Sequence, residues 1–403
     1  MSIGRWFRRL RGVPEPEDVQ DGPSELLPAD PSVLPAPTAA WGATVDAHAP
    51  ELLPAPGESG EALEVYADAL MSAGDLRGEL VALMLRGEHA HATALRQQHR
   101  AHFYGPAADW RVLAMNQLAD IALPRQRPRV APDPGPPVAM RVHWHAGFID
   151  GLRVQVTPDR VEPLVELLHH PSCARLRILI LGGTRMHGLG ERLAQRGPLP
   201  AIERLHIGDF TMGEFEHQEA DQGVWPDLDR VFPNLRHLAA SAVAELGPFP
   251  ALQTLQITRE EAFARVTWPE HGRLAGLEMA RLCGARAEDL LERRDLHRLR
   301  DLRVGREVAR SFVQALAKRP ELLASLETLG FQRCDMRNTA RPLIALLPEL
   351  TALRMLYVPS ADTAYHAALA RELPGRLGVA PPEMRYAHFW REVTEPALGV
   401  LSL

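Results

Sequence analysis

The sequence predicts an α/β protein: short parallel strands packed side by side as an irregular solenoid, with helices or turns outside, after a small helical domain. Three observations carry this. First, a triplet of apolar residues keeps returning with one spacing. It reads Leu176/Leu179/Leu181, Ile202/Leu205/Ile207, Leu235/Leu238/Ala240, Leu252/Leu255/Ile257, Leu274/Leu277/Met279, Leu299/Leu302/Val304, Leu326/Leu329/Phe331 and Leu353/Leu356/Val358, with a weaker copy at Ile149/Leu152/Val154. Second, the first positions are separated by 27, 26, 33, 17, 22, 25, 27 and 27 residues. Third, apolar residues at helical spacing lie between triplets, as in Leu164/Val165/Leu168 and Phe312/Val313/Leu316/Ala317.

Each triplet is a strand too small to stay dry alone. Stacking neighbours buries it, which makes a one-dimensional array. The step of 17 leaves no room for a full helix and predicts a tight return. Over residues 149–360 the pattern resembles leucine-rich repeats, whose period is about 20–29 residues. The resemblance implies a parallel sheet on a concave face and a non-catalytic scaffold binding a protein there. One departure stands out. Regular repeats place Asn or Cys three residues after the last apolar position of the triplet; here the slot holds Thr184, Phe210, Val243, Glu260, Leu282, Glu307, Cys334 and Ala361. The turning backbone must be satisfied another way, so uneven curvature is expected.

Residues 61–140 are assigned to the helical domain. Leu63, Tyr66, Ala67 and Leu70 form an apolar stripe, Gly74 closes that helix, and Asp75 caps the next, which carries Leu80, Leu83 and Met84. The phrases Tyr66-Ala67-Asp68 and Gly74-Asp75-Leu76-Arg77-Gly78-Glu79 resemble the bacterial repeat-companion domain that precedes leucine-rich repeats. That family implies no activity. Asp68, Arg77 and Glu79 are read as a structural network fixing the interhelix turn.

The remaining units are a tip and linker over 1–60, the repeats over 141–360 and a cap over 361–403. Residues 1–12 set Arg5, Arg8, Arg9 and Arg11 beside Ile3, Trp6, Phe7 and Leu10. They read as a frayed terminus or, alternatively, as a foot on a membrane surface. Residues 13–60 hold ten prolines and nine acidic side chains with no Lys or Arg, the composition of a disordered linker. In the cap, Ala367, Leu369 and Leu373 predict a last helix, and Tyr386, Phe389 and Trp390 are expected to cover the open end.

Composition excludes several functions. The chain has 403 residues and a net charge of −6, which argues against indiscriminate or specific nucleic-acid binding. Cys173, Cys283 and Cys334 lie far apart, without a C-x-x-C, and suit a reducing cytoplasm. Lys318 is the only lysine and no P-loop precedes it. No secretory signal or transmembrane stretch is present, and no H-E-x-x-H or G-x-S-x-G occurs. No enzyme activity, cofactor or metal is expected; oligomeric state is not legible.

Four local features bear on a site. His143 and His145 share a strand face and could begin a metal site with His169 or His170; lacking a spaced carboxylate or thiol, they read instead as a polar face. Gly182 to Gly188 reads as a turn, since its register is not that of a phosphate loop. Residues 208–232 form an acidic insertion. Finally, Arg259, Arg281, Arg306 and Arg333 stand seven residues after the start of four successive triplets. Strands sit about 4.8 Å apart, so these arginines make a column suited to carboxylate or phosphate oxygens. With His206, Gln256, Arg303 and Tyr357 they form the candidate partner-binding surface. Its expected ligand is an acidic protein or this chain's own acidic tail.

Overall fold

The apolar triplets become strands whose middle leucines line up. In the computed structural model the described residues are 60–115, 118–121, 138–183, 186, 188–208, 225, 227–240, 251–257, 276–279, 299–305, 309–332, 339–358 and 363–379. Twelve strands are hydrogen-bonded in sequence order. They are β1 (Val112–Met115), β2 (Met140–His145), β3 (Phe148–Gln155), β4 (Ile178–Gly182), β5 (Arg204–Ile207), β6 (His237–Ala240), β7 (Thr254–Ile257), β8 (Gly276–Met279), β9 (Asp301–Gly305), β10 (Thr328–Gln332), β11 (Met355–Val358) and β12 (Leu377–Val379). Leu152, Leu179, Leu205, Leu238, Leu255, Leu277, Leu302, Leu329 and Leu356 occupy one register row. One row of identical side chains, repeated at the strand spacing, is what holds these strands in register.

The leucine-rich-repeat solenoid with a repeat-companion domain is nevertheless corrected. That assignment required one continuous, wholly parallel sheet. The sheet is mixed: β1–β7 form a seven-strand portion containing the antiparallel pair β2/β3, and β9–β12 form a parallel four-strand portion. Only β8 joins them in hydrogen-bond order. The cause of the antiparallel pair is local. Ala146 and Gly147 both take positive φ, 47° and 81°, in a two-residue turn between His145 and Phe148. Such a turn folds the chain straight back on itself. The region read as one stretch of β character, Val142 to Val156, is therefore a hairpin.

The helices before the sheet are α1 (Gly60–Ser72), α2 (Leu76–Leu85), α3 (His89–Gln98) and α4 (Arg100–Tyr104). Gly74 turns with φ 74°, and the Asp75 carboxylate accepts from Arg77 N at 2.9 Å, capping α2. A Cβ on Gly78 would stand 2.5 Å from Ala67 O and 2.7 Å from Met71 N, so α1 and α2 pack backbone to backbone there. Among the described residues, Leu63, Tyr66, Ala67 and Leu70 form a small core with Val81, Ala146 and Phe148, which seats the helix pair on the hairpin tip. Past these helices the chain adds β1 to the edge of β2, in parallel.

Among the crossovers, α5 (Val161–Leu168) buries Leu164, Val165 and Leu168, and α8 (Ala309–Leu316) buries Phe312, Val313 and Leu316, with Ala315 buried in place of Ala317, which is exposed past the helix end. Other helices of the described residues are α6 (Leu189–Arg196), α7 (Leu228–Val231), α9 (Pro320–Ser325), α10 (Ala340–Leu346) and α11 (Thr363–Glu372). The last carries Leu369 into the core, and Leu373 is buried just beyond it. The step of 17, expected to be a tight return, runs through residues 241–250, which lie outside the described residues; beyond it Gln253 N and Thr254 N both donate to Arg236 O.

The membrane-facing role is also corrected. Among the described residues no helix is long and apolar enough to cross a membrane, and residues 1–12, which carried that expectation, lie outside them. Also outside are the linker up to residue 59, residues 122–137, most of the acidic insertion 208–232, and Tyr386, Phe389 and Trp390.

Candidate functional site

The residue after each leucine of the row alternates to the opposite face of the sheet. On it His206, Ala239, Gln256, Glu278, Arg303, Gly330 and Tyr357 follow one another in register. Four predicted surface residues, His206, Gln256, Arg303 and Tyr357, thus occupy one row. The open concave surface predicted there is corrected, because this face is covered in the mixed portion. The turn Leu118–Ile121 lies on it, and Ile121 packs with Ile178, Ile180 and Ala239. Gly151 has no side chain because a Cβ there would collide with Ile121 and Leu118. Arg153 donates from its guanidinium to Ile121 O at 3.1 Å, tying the turn down. His206 is only 4% exposed and shares a 3.2 Å hydrogen bond with Gly208 O. Arg204 and His237 beside it are buried too. No protein can dock on these side chains as the face stands. Arg259, Arg281, Arg306 and Arg333 lie outside the described residues.

A bulge delivers a carboxylate to the same face. His143 pairs with Gly151 and Trp144 with Ile149, which leaves Asp150 as the extra residue on β3. Asp150 is bonded to His143 Nδ1 at 2.6 Å and accepts from Arg177 at 3.2 Å. The histidines expected to meet on a metal are spent apart. His145 is exposed beyond the bulge, His169 bonds the carbonyls of Val165 and Gly197, and His170 accepts from Ser172 N. Among the described residues no group of three His, Cys, Asp or Glu side chains could hold a metal ion. Of the glycine turn, Gly183 (φ 133°) passes against Val156, and Gly188 (φ 78°) precedes α6. Residues 184, 185 and 187 lie outside the described residues.

The buried polar node in the helical part centres on Asp75. It pairs with the Arg77 guanidinium through two nitrogens and with His102 Nε2 at 3.0 Å. Arg77 is 2% exposed. Burial alone would raise the Asp75 pKa; hydrogen bonds from His102 and Arg77 overcome it and hold the carboxyl well below its usual range. The partner of Arg77 is therefore Asp75, while Asp68 and Glu79 are exposed. Burial, with the positive charge of Arg77 nearby, brings His170 down to about 4. Cys173 is buried, and burial pushes its thiol up, away from the reactive thiolate.

The exposed charge lies elsewhere, along the edge where the strands begin. The residue after the first apolar position of each triplet is Asp150, Arg177, Glu203, Arg236, Gln253, Arg300, Glu327 and Arg354 among the described ones, Asp150 being buried, and Arg376 continues the edge at β12. Their backbones form a ladder: Glu203 N donates to Arg177 O, Arg236 N to Glu203 O, Gln253 N to Arg236 O, Glu327 N to Arg300 O and Arg354 N to Glu327 O. Glu327 sits between two arginines, 3.5 Å from each of Arg300 and Arg354. Beside it Glu327, Thr351, Ala352, Leu353, Arg354 and Arg376 line a cleft of about 440 Å³. Sequence reasoning looked seven residues into each repeat and missed this row at the second residue, where aligning the triplets exposes it.

Comparison with known proteins adds no family. No family model matches the chain, and no curated protein matches it. A crystal structure of a protein from Bacteroides fragilis, determined by a structural genomics consortium, is similar over 55% of this chain and 61% of its own, with 15% identity and a TM-score of 0.37. A likeness at that level carries no argument about fold or function.

Proposed function

We propose that this is a non-catalytic binding protein that takes an anionic group along the strand-start edge of its sheet. The observation that carries this is the edge row: Arg177, Arg236, Arg300, Arg354 and Arg376 against Glu203, Glu327 and the buried Asp150, on a chain whose net charge is −6. An excess of guanidinium on an otherwise acidic protein concentrates positive potential in one place. Arg300 and Arg354 are 69% and 78% exposed, free to meet a partner in solution. The non-catalytic part rests on the acid–base groups. Asp75, His102, Asp150, His143, His169 and His170 are bonded to neighbours within the fold, and the Cys173 thiol is buried.

Fluorescence polarisation with labelled poly-L-glutamate tests the reading. The probe should bind with a marked dependence on salt, and reversing Arg236 and Arg300 to Glu should weaken it by about tenfold or more. Labelled poly-L-lysine should bind worse than poly-L-glutamate. Equal binding by the double variant would refute the edge as the site.

A further inference from the structure

We propose that the cleft at the C-terminal end of this edge binds a small phosphorylated compound with a hydroxyl group close to its phosphate. The proposal rests on the anionic-edge reading and narrows it to one place and one chemistry. The size fits: small-molecule sites span about 300–1,000 Å³, and this cleft is about 440 Å³. Arg354 and Arg376 are both exposed at its rim. Arg376 is held by a 3.2 Å bond from one terminal nitrogen to Leu353 O, which fixes one end of its guanidinium. The planar fork keeps other N–H donors for phosphate oxygens.

Glu327 sets the selectivity. Its carboxylate is 29% exposed and stands 3.5 Å from Arg354 and Arg300, beyond close charge-assisted contact. A site of two arginines alone would take any oxyanion. A carboxylate beside them repels a bare, fully charged anion and rewards a ligand that brings a hydroxyl donor to it. Thr351, exposed on the same wall, adds a hydroxyl able to donate or accept. Ala352 adds a small apolar surface that suits a short carbon skeleton, while Leu353 is buried in the core and contributes the carbonyl that Arg376 holds.

Isothermal titration of the full chain with glycerol 3-phosphate, inorganic phosphate and glycerol tests this. Glycerol 3-phosphate should bind saturably, inorganic phosphate about tenfold more weakly, and glycerol not at all. Arg354→Ala and Arg376→Ala should each weaken glycerol 3-phosphate by about tenfold. Glu327→Gln should erase the preference over inorganic phosphate by strengthening the latter. Should Arg376→Ala disturb the fold through Leu353, Arg354→Ala decides, since its side chain is mostly in solvent. No saturable binding, or unchanged binding in Arg354→Ala, overturns the site; equal affinity for the two phosphates overturns the hydroxyl requirement. Poly-L-glutamate binding lost in the Arg236/Arg300 variant, with no glycerol 3-phosphate binding, sinks the cleft and spares the edge. The reverse pattern sinks the edge alone.

Discussion

Gly147 lies against Val81, so closely that a Cβ on the glycine would collide with the valine side chain and stand 3.2 Å from its backbone nitrogen. The same glycine has φ 81° in the hairpin turn between β2 and β3. One residue thus does two things: it reverses the chain and lets α2 dock on the hairpin tip. Replacing it with alanine meets both costs. The left-handed conformation costs about 1–2 kcal/mol for an L-residue, and overpacking adds about 1–3 kcal/mol. Gly147→Ala should therefore lose about 2–5 kcal/mol in urea unfolding. Gly87→Ala has a similar φ, 73°, and open space around it. It should lose only the backbone part.

Asp75 and Arg77 make a second pair whose removal can be graded. Both are buried, and Arg77 has no other carboxylate within the described node. Asp75→Ala strands a buried guanidinium and should cost about 3–5 kcal/mol. Removing both charges with Asp75→Ala and Arg77→Met should cost less than Asp75→Ala alone, because no unpaired charge remains. A thermal or denaturant series on the two variants gives the order directly.

These two sites show where the sequence was legible. Gly74 and Asp75 could be read in advance because a cap depends only on residues next to each other. The triplets could be read as strands for the same reason: alternation within a few residues decides which side is apolar. The hairpin was not read, because Ala146 is an uncommon residue at positive φ and gives no warning of a reversal. The bulge at Asp150 was hidden too, since a one-residue excess appears only when two strands are paired. The covered face was missed for a different reason. Leu118 and Ile121 precede the first triplet, and nothing local says that they fold over Ile178, Ile180 and Ala239. Placement of that kind is a tertiary fact, and it moves the candidate site from the face to the edge.

His170 predicts a pH dependence. Its value in the folded protein is about 4, against 6.5 for an ordinary histidine, because burial and Arg77 disfavour the charged ring. The unfolded chain then binds more protons than the folded one between those values. Stability from this group is intact above about pH 6.5 and falls as pH drops toward about 4. The slope is at most about 1.4 kcal/mol per pH unit. Asp75 acts in a separate window. Its folded pKa is lowered, so its contribution is present above 3.8 and is lost only in stronger acid. His170→Asn keeps an acceptor for Ser172 N and removes the titration. Urea midpoints measured from pH 7 to 4 should fall less steeply for that variant than for the parent. Parallel curves would show that His170 is not the group responsible.

Arg177 and Arg300 occupy equivalent positions on the strand-start edge, yet their removal should have different consequences. Arg177 donates to Asp150, a carboxylate that is 5% exposed and is also bonded to His143. Without Arg177 that buried charge keeps one bond where it had two, and the loss should be about 1–3 kcal/mol. Arg300 meets Glu327 at 3.5 Å with both side chains in reach of water. A pair of that kind contributes about 0–1 kcal/mol, so Arg300→Ala should unfold close to the parent. The contrast matters for the binding tests. A substitution at Arg177 mixes folding with recognition, whereas one at Arg300 or Arg354 reports recognition alone. Denaturation of Arg177→Ala and Arg300→Ala side by side checks it, and equal losses would mean that Asp150 does not depend on Arg177.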